Sequence, residues 1–305
     1  MIEVTELTKC FGSILAVDRL SFHVARGEVL GFLGPNGAGK STTMKMLTCF
    51  LTPSSGTAKI CGHDILTDSM AVRRTLGYLP ESGALYGDMR VSDFLTFICR
   101  MRDLQEAQAA IDRVVELCAL KSVYYQSIET LSKGYKRRVG LAQALIHDPA
   151  VLIMDEPTDG LDPNQKHDVR QLIRAMAKDK CIILSTHILE EVEAVCTRAM
   201  IIARGQLRAD GSPDQLRKRA PDHGALRLDV EAPPDVNVAA ALLTIPGVSD
   251  IQTLEANRRF VLLPANGNDL RDAALPALAA VGARVTNSEI LEGKLDTCFR
   301  ALTRN

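Results

Sequence analysis

The chain has 305 residues, of which 46% are hydrophobic, and its 36 basic and 37 acidic side chains give a formal net charge of −1. This length predicts one large and one small domain, and the near-neutral charge gives no electrostatic reason to expect a nucleic acid as a partner. No apolar run approaches the roughly 20 residues of a membrane span. Residues 1–6 also lack the basic start and apolar block of a secretory signal. We therefore expect a cytoplasmic protein.

The chain begins with strand patterns. Residues 2–7 and 20–24 alternate between apolar and polar side chains, which predicts strands of a partly exposed antiparallel sheet. Residues 29–33 form a short apolar run that predicts a buried strand, and residues 42–51 have the composition of a helix. The glycine-rich segment 34–41 therefore lies at a strand-to-helix junction.

That segment has the sequence of a phosphate-binding loop. Its glycines allow successive N–H groups to point at a phosphate, and the N-terminus of the following helix adds its dipole. We expect Lys40 to contact the β and γ phosphates and to take part in catalysis, and Ser41 to offer its hydroxyl to Mg²⁺. A glycine-rich turn with a chance Lys-Ser pair is disfavoured by the flanking strand and helix. The predicted nucleotide-binding residues here are Gly34, Pro35, Asn36, Gly37, Ala38, Gly39, Lys40, Ser41 and Thr42.

A helical region and a second anion-binding motif follow. Residues 91–119 are rich in helix formers, which predicts a helical insertion within a subdomain spanning about residues 82–145. Residues 131–135 precede a predicted helix at 137–145, where Ser132 is expected to cap the helix and Gly134 to let backbone amides approach an anion. One nucleotide seldom needs two such sites from a single subunit, so the second is expected to face a nucleotide held by a second copy.

Two further buried strands carry polar residues at their ends. Residues 151–154 and 181–185 are apolar runs typical of central parallel strands. Asp155 and Glu156 follow the first strand, where α/β sheets place their ligand chemistry. Asp155 is expected to hold Mg²⁺ and Glu156 to polarise a water aimed at the γ-phosphate. His187 follows the other strand at the same sheet edge, within reach of the γ-phosphate or the attacking water.

The sequence changes character after about residue 216. Residues 217–224 are basic and contain helix and strand breakers, which predicts a linker. The remaining periodicities read β-α-β-β-α-β, the element order of a small ferredoxin-like domain. The predicted division is therefore a nucleotide-binding domain at 1–220 and an accessory domain at 221–305.

The cysteines give no metal or disulfide signal. They are scattered, without a Cys-x-x-Cys pair or a histidine at ligand spacing, and most lie among apolar residues. We expect buried, reduced thiols. They are Cys10, Cys49, Cys61, Cys99, Cys118, Cys181, Cys196 and Cys298.

Taken together, these segments resemble ATP-binding-cassette (ABC) proteins over about residues 2–220, with the motifs in the expected order. Residues 131–135, Leu-Ser-Lys-Gly-Tyr, are similar to the family signature Leu-Ser-Gly-Gly-Gln. The resemblance implies that Phe11 stacks on adenine and that Ser132 and Gly134 contact the γ-phosphate. It also implies that Asp162 lies in the loop that crosses between the subunits and that His187 is the family's switch histidine. It implies an α/β phosphate-loop ATPase core with antiparallel β and helical subdomains, followed here by the small α+β domain.

The sequence departs from the family pattern at two places. Glu81 stands where the family usually has glutamine, so it brings a charge to a position expected to approach Mg²⁺ or the water. Lys133 and Tyr135 replace glycine and glutamine in the signature. These features resemble the branch of single-cassette subunits that serve export-type permeases, including the gliding-motility and multidrug-resistance type.

The resemblance implies an ATP-binding and ATP-hydrolysing subunit that uses Mg²⁺ and pairs with a second copy of itself as a homodimer. It also implies that this dimer lies at the inner face of the membrane, where it powers export through a separate integral-membrane permease. Two alternatives stay open. A non-transport cassette ATPase acting on ribosomes or DNA generally carries two cassettes, coiled coils or basic insertions, features that the present sequence lacks. A small-molecule kinase would need an acceptor pocket and no signature helix.

Overall fold

The computed structural model describes residues 1–81, 85–265 and 269–304. The chain divides into two compact units, Met1–Ser212 and Pro213–Asn305. The strands of the first unit are β1 (Ile2–Phe11), β2 (Ile14–Val24), β3 (Val29–Leu33), β4 (Ser55–Ile60), β5 (His63–Asp64), β6 (Leu76–Leu79), β7 (Val151–Asp155), β8 (Cys181–Thr186), β9 (Arg198–Ala203) and β10 (Gln206–Gly211). Its helices are α1 (Lys40–Leu47), α2 (Ser69–Thr75), α3 (Val91–Met101), α4 (Ala107–Leu117), α5 (Lys133–Leu145), α6 (Pro163–Ala177) and α7 (Leu189–Val195).

A six-stranded sheet organises the first unit, in the order β10-β9-β3-β8-β7-β6. Strands β9, β3, β8, β7 and β6 run parallel, and β10 pairs antiparallel with β9 at one edge. The residues of β3, β7 and β8 are all buried, because parallel strands are covered on both faces. Since β8 lies between β3 and β7, the segments that follow these three strands meet at one edge of the sheet.

An antiparallel sheet, β2-β1-β4-β5, packs on the parallel sheet. Its inward residues, such as Ile2 and Leu20, share one hydrophobic core with Phe32 and Ile153 of the parallel sheet. The ring of Phe22 meets that of Phe32 edge-on, with ring centroids 5.2 Å apart. The helical region contains α3 and α4, whose buried residues recur at helical spacing. The predicted α/β core with antiparallel and helical subdomains is therefore confirmed.

Two predicted helix boundaries were wrong. The first helix was predicted at 42–51, but α1 begins at Lys40 and ends at Leu47, because Cys49 has a left-handed φ of 56° and Pro53 follows. The signature helix was predicted to begin at residue 137, but α5 begins at Lys133. Ser132 is its N-cap, as predicted, and accepts a hydrogen bond from the amide of Tyr135 at 3.3 Å. The residues after Ser132 therefore form the first turn of the helix.

The second unit is a four-stranded antiparallel sheet with helices. Its elements are α8 (Pro213–Arg217), β11 (Leu226–Glu231), α9 (Val238–Leu243), β12 (Val248–Glu255), β13 (Arg259–Pro264), α10 (Arg271–Ala280), β14 (Arg284–Ile290) and α11 (Leu295–Thr303). The sheet order is β12-β13-β11-β14, which is a split β-α-β arrangement. The segment 217–224 lies within this unit, which begins at Pro213 because α8 packs against α11.

Burial of the cysteines varies along the chain. Cys99, Cys118, Cys181, Cys196 and Cys298 are buried, as expected from their apolar neighbours. Cys49 and Cys61, which follow α1 and β4, are half-buried. Cys10, near the end of β1, is exposed, so the predicted burial is wrong for this cysteine. In the ranges 1–81, 85–265 and 269–304, none of the helices combines the length and hydrophobicity that a membrane span requires.

Candidate functional site

The loop between β3 and α1 is shaped by close backbone contacts. A Cβ atom on Gly34 would lie 2.5 Å from the carbonyl oxygen of Ile202, and one on Gly39 would lie 2.5 Å from that of Ala16. Gly39 also has a φ of 102° and is the N-cap of α1. Because glycine has no side chain with which to cap the helix, the first amides of α1 are available to an anion.

Lys40 is folded back against this loop. Its side chain is buried, and Nζ donates a hydrogen bond to the carbonyl oxygen of Gly34 at 2.7 Å. Burial lowers the pKa of Lys40, and the negative charges of Glu156, Asp155 and Glu81 act in the opposite direction. The structure therefore brings the predicted lysine and the three predicted acidic residues into one electrostatic neighbourhood.

The end of β7 positions two carboxylates differently. Asp155 is buried and pairs in register with Ser185 of β8, whose hydroxyl donates to Oδ1 of Asp155. Glu156 has left the strand, with a left-handed φ of 50°, and its amide donates to the carbonyl oxygen of Ser185 at 3.1 Å. A left-handed conformation is strained in a non-glycine residue, and functional sites are among the places where such strain is kept. This turn points the Glu156 side chain away from the direction that a continued strand would give it.

Glu156 and His187 form a direct pair. Nδ1 of His187 lies 3.0 Å from Oε2 of Glu156, and since a carboxylate only accepts, Nδ1 is the donor. The Glu156 side chain is 12% exposed and that of His187 is 54% exposed. The pair thus has a sheltered carboxylate and an imidazole open to solvent, which is an arrangement suited to moving a proton at the surface of the site.

The predicted Mg²⁺ ligands share one cavity. Ser41, Glu81 and Asp155 all line a space of about 550 Å³ beside the phosphate loop. One hydroxyl and two carboxylates are a hard, oxygen-only donor set, which fits Mg²⁺ held together with water and phosphate oxygens. Within the described parts of the chain, there is no cluster of three or more histidine, cysteine, aspartate or glutamate side chains able to hold a metal.

Arg137 is a residue of this region that the sequence analysis missed. It lies on α5, and its guanidinium donates to the carbonyl oxygens of Pro80 and Glu81 at 2.6 and 2.9 Å and to those of Asp155 and Glu156. One side chain therefore ties the signature helix to the segments that follow β6 and β7. Nothing in the local pattern of Leu-Ser-Lys-Gly-Tyr-Lys-Arg-Arg distinguishes this arginine from its neighbours.

The signature and crossing-loop residues meet each other. Gly134 is packed so closely against Gln165 that an added Cβ would lie 2.3 Å from Oε1 of that side chain. Asp162 is the N-cap of α6, accepting from the amide of Gln165 at 2.9 Å in a reciprocal capping box. Among the described residues, the hydrogen bonds of Ser132 and Asp162 stay within these two helix starts. The two motifs form one surface, separate from the contacts of the phosphate loop.

Phe11 ends β1 and is 48% exposed. Its partner across the hairpin is Ile14, and Nζ of Lys9 lies 5.3 Å from the centre of its ring. The same hairpin reaches the phosphate loop, since Ala16 crowds Gly39. The ring is therefore open to solvent on an element that packs beside the loop, where a flat aromatic group can stack on it.

Comparison with known proteins identifies the first unit. A protein-family model described as "ABC transporter" matches residues 17–159. The "Nod factor export ATP-binding protein I" of Paraburkholderia xenovorans (strain LB400) is 41% identical over 218 residues, covering 70% of this chain and 72% of that protein. The "Probable multidrug ABC transporter ATP-binding protein YbhF" of Escherichia coli (strain K12) is 40% identical, covering 72% of this chain and 38% of that protein. A solved structure described as the ATP binding subunit of an ABC transporter superposes with a TM-score of 0.66 at 30% identity, covering 72% of this chain and 92% of that one.

Proposed function

The chain belongs to the ABC transporter family, as one of its ATP-binding and ATP-hydrolysing proteins, and on this premise we propose that it powers export through a separate membrane permease. The observation that carries the site assignment is that the segments following β3, β7 and β8 meet at one edge of the parallel sheet, where His187 contacts Glu156 directly. Export is favoured because one relative is named for Nod factor export and another for multidrug transport.

ATP is proposed to bind along the phosphate loop. The triphosphate lies over residues 34–42, where the first amides of α1 and Nζ of Lys40 provide the positive groups. Lys40 exchanges its bond to the Gly34 carbonyl oxygen for phosphate oxygens. Phe11 stacks on the adenine. Ser41, Asp155 and Glu81 would hold Mg²⁺, which when bound neutralises phosphate charge.

Glu156 is proposed as the general base. Its carboxylate accepts a proton from the water that attacks the γ-phosphate, and His187, which donates through Nδ1, keeps that carboxylate oriented. Arg137 holds the carbonyls of the turns on which Glu81 and Glu156 lie. Positioning and charge stabilisation account for most of the catalysis in phosphoryl transfer.

A second cassette is proposed to complete the site. Ser132 and Gly134 lie at the start of α5, and Asp162 at the adjoining start of α6. These residues would contact a nucleotide held by the partner, which we take to be a second copy of this chain. ATP then joins the two subunits through its γ-phosphate, and hydrolysis releases them.

The proposed place of work is the inner face of the cell membrane, reached through the permease. This predicts that the tagged full-length chain, purified from gently solubilised membranes of its own host, brings down a polytopic membrane protein that mass spectrometry identifies. An untagged culture serves as the control. Ribosomal proteins or DNA in place of a membrane protein would favour the non-transport alternative.

Replacing Phe11 by alanine is expected to weaken ATP binding roughly 5- to 150-fold, since a stacked base contributes about 1–3 kcal/mol. Turnover at saturating ATP should change little, because stacking is the same in the ground and transition states. Titration with a fluorescent ATP analogue and steady-state kinetics measure both quantities. Ile14→Ala, which removes the exposed neighbour of Phe11, is the matched control. A fall in saturated turnover at unchanged affinity would contradict the stacking role.

The accessory domain at 221–305 is proposed to fold around its own hydrophobic core. That core joins residues of β11 and β13, such as Leu228 and Phe260, to residues of α9 and α10, such as Leu242 and Leu278. All the proposed catalytic, nucleotide and Mg²⁺ residues lie in the first unit. We propose that this domain extends the interface between the two copies of the chain.

A further inference from the structure

A buried carboxylate outside the predicted site lies on α7. Glu191 is 2% exposed, and both residues that bind it, Thr158 and Thr186, are also buried. The hydroxyl of Thr158 donates to Oε1 of Glu191, and that of Thr186 donates to Oε2 at 2.7 Å. The amide of Ile188 in turn donates to the Thr186 hydroxyl at 3.0 Å. Each carboxylate oxygen therefore has its own donor from a different segment of the chain.

The two threonines flank the catalytic pair. Thr158 comes two residues after Glu156, and Thr186 comes immediately before His187. Strands β7 and β8 pair up to Asp155 and Ser185, so the ladder ends just before these residues. Beyond the ladder, Glu191 joins Thr158, in the turn after β7, to Thr186, the last residue of β8, and so adds a second link beside the direct contact of the catalytic pair.

Burying the Glu191 carboxylate costs free energy, which bears on why a glutamate is found at this position. Burial raises the pKa of Glu191, while the Thr186 hydrogen bond and the charges of Arg170 and Lys166 lower it. Buried polar groups are costly unless fully hydrogen-bonded, and an apolar residue of similar size often stabilises a fold as well or better. A role in geometry therefore explains a glutamate at this position better than a role in stability does.

We propose that Glu191 is a positioning residue for ATP hydrolysis. By bridging Thr158 and Thr186 it holds the Glu156 turn at a fixed distance from His187, so that the general base stays aimed at the attacking water. This inference rests on the proposed roles of Glu156 and His187. A misplacement of about 1 Å in an active site can cost on the order of a hundredfold in rate, so a modest slackening of this bridge should be visible in turnover.

The first test compares two substitutions at one residue. Thr158→Val keeps the side-chain shape but loses the hydroxyl, whereas Thr158→Ser keeps the hydroxyl and loses the methyl group. We expect Thr158→Val to lower kcat about 10- to 100-fold with KM for ATP changed less than about twofold, and Thr158→Ser to recover most of the turnover. A simple packing role would give the opposite order, or equal losses.

The second test makes the same substitution at adjacent residues of α7. Glu191→Gln keeps size but cannot accept hydrogen bonds at both terminal atoms, and we expect the same selective loss of kcat. Glu190→Gln alters an exposed glutamate whose nearest cation, Arg170, is 4.0 Å away, and should leave turnover unchanged. Equal turnover in the Glu191 and Glu190 variants would overturn the proposal.

Measurements of thermal stability and a substitution of the proposed general base distinguish the remaining explanations of a slow variant. Thermal unfolding of every variant is measured alongside kinetics, and if Thr158→Val does not fold, Thr186→Val and Thr186→Ser provide the same comparison. Failure of both valine variants to fold would assign the network to stability and refute a positioning role. Glu156→Gln is measured in the same assay. If it hydrolyses ATP normally, the proposed base is wrong and this inference falls with it; if only Glu156→Gln is slow, the inference alone fails.

Discussion

Replacing Lys40 by alanine is expected to abolish ATP hydrolysis, with turnover falling by at least about a hundredfold. The side chain supplies the one positive charge of the loop 34–41, and its Nζ lies on the loop, 2.7 Å from the Gly34 carbonyl oxygen. Removing a single preorganised group that stabilises transition-state charge typically costs about 10²- to 10³-fold in turnover. Affinity for ATP should fall as well, because the same charge contacts the ground-state phosphates.

The measurement is phosphate release by the purified chain, with nucleotide binding followed separately. Lys59→Ala removes an exposed lysine from β4 and is the control for a general loss of positive charge. Circular dichroism should show that Lys40→Ala remains folded, since the hydrogen bonds of its side chain to described residues go to carbonyl oxygens of its own loop. Hydrolysis at an undiminished rate would show that the phosphates bind elsewhere.

The second large effect concerns Glu156 and self-association. Glu156→Gln is expected to bind ATP and to hydrolyse it about 10²-fold or more slowly, since general bases contribute roughly 10²- to 10⁴-fold. Glutamine keeps the shape of the side chain and its contact with His187 but cannot take a proton from water. With hydrolysis blocked, the closed dimer should accumulate, because ATP joins Lys40 of one subunit to Ser132 of the other.

Light scattering of Glu156→Gln with ATP and with ADP measures this dimer. Adding Ser132→Arg should abolish it by placing a large side chain at the start of α5. Ser55→Arg, at an exposed residue of β4, should leave it intact. A monomer under both nucleotides would argue against a homodimer and for pairing with a different cassette. Rapid hydrolysis by Glu156→Gln would leave His187 as the next candidate base.

Much of the site follows from local sequence. The loop 34–41 was recognised from its glycine-rich sequence, although the crowding that excludes a methyl group at Gly34 and Gly39 comes from backbone atoms of distant residues. The position of Asp155 and Glu156 at the end of a strand was predicted from the apolar run before them, because a buried parallel strand ends where polar residues begin. The Ser132 cap was predicted for a similar local reason, since its hydroxyl accepts from an amide three residues later.

Other features had no readable local pattern. Strands β6 and β9 were not predicted, although both belong to the parallel sheet. At four residues, β6 is too short for its alternation to stand out, and β9 follows a helix without a clear break. The helix α1 was predicted too long because a left-handed residue at Cys49 carries no sequence signal of its own.

The amino-acid sequence alone was enough to predict the family motifs, the buried strands β3, β7 and β8, and the residue types at their ends. The motifs are contiguous in the chain, and hydrophobic periodicity acts over a few neighbouring residues. Three features emerged only in the folded chain. Strand β8 lies between β3 and β7, Arg137 binds carbonyls 18 to 57 positions away, and Glu191 bridges Thr158 and Thr186. Such contacts join segments that are distant in the chain and become neighbours only when the sheet forms. Their energies depend on burial and on partners that a single stretch of sequence does not contain.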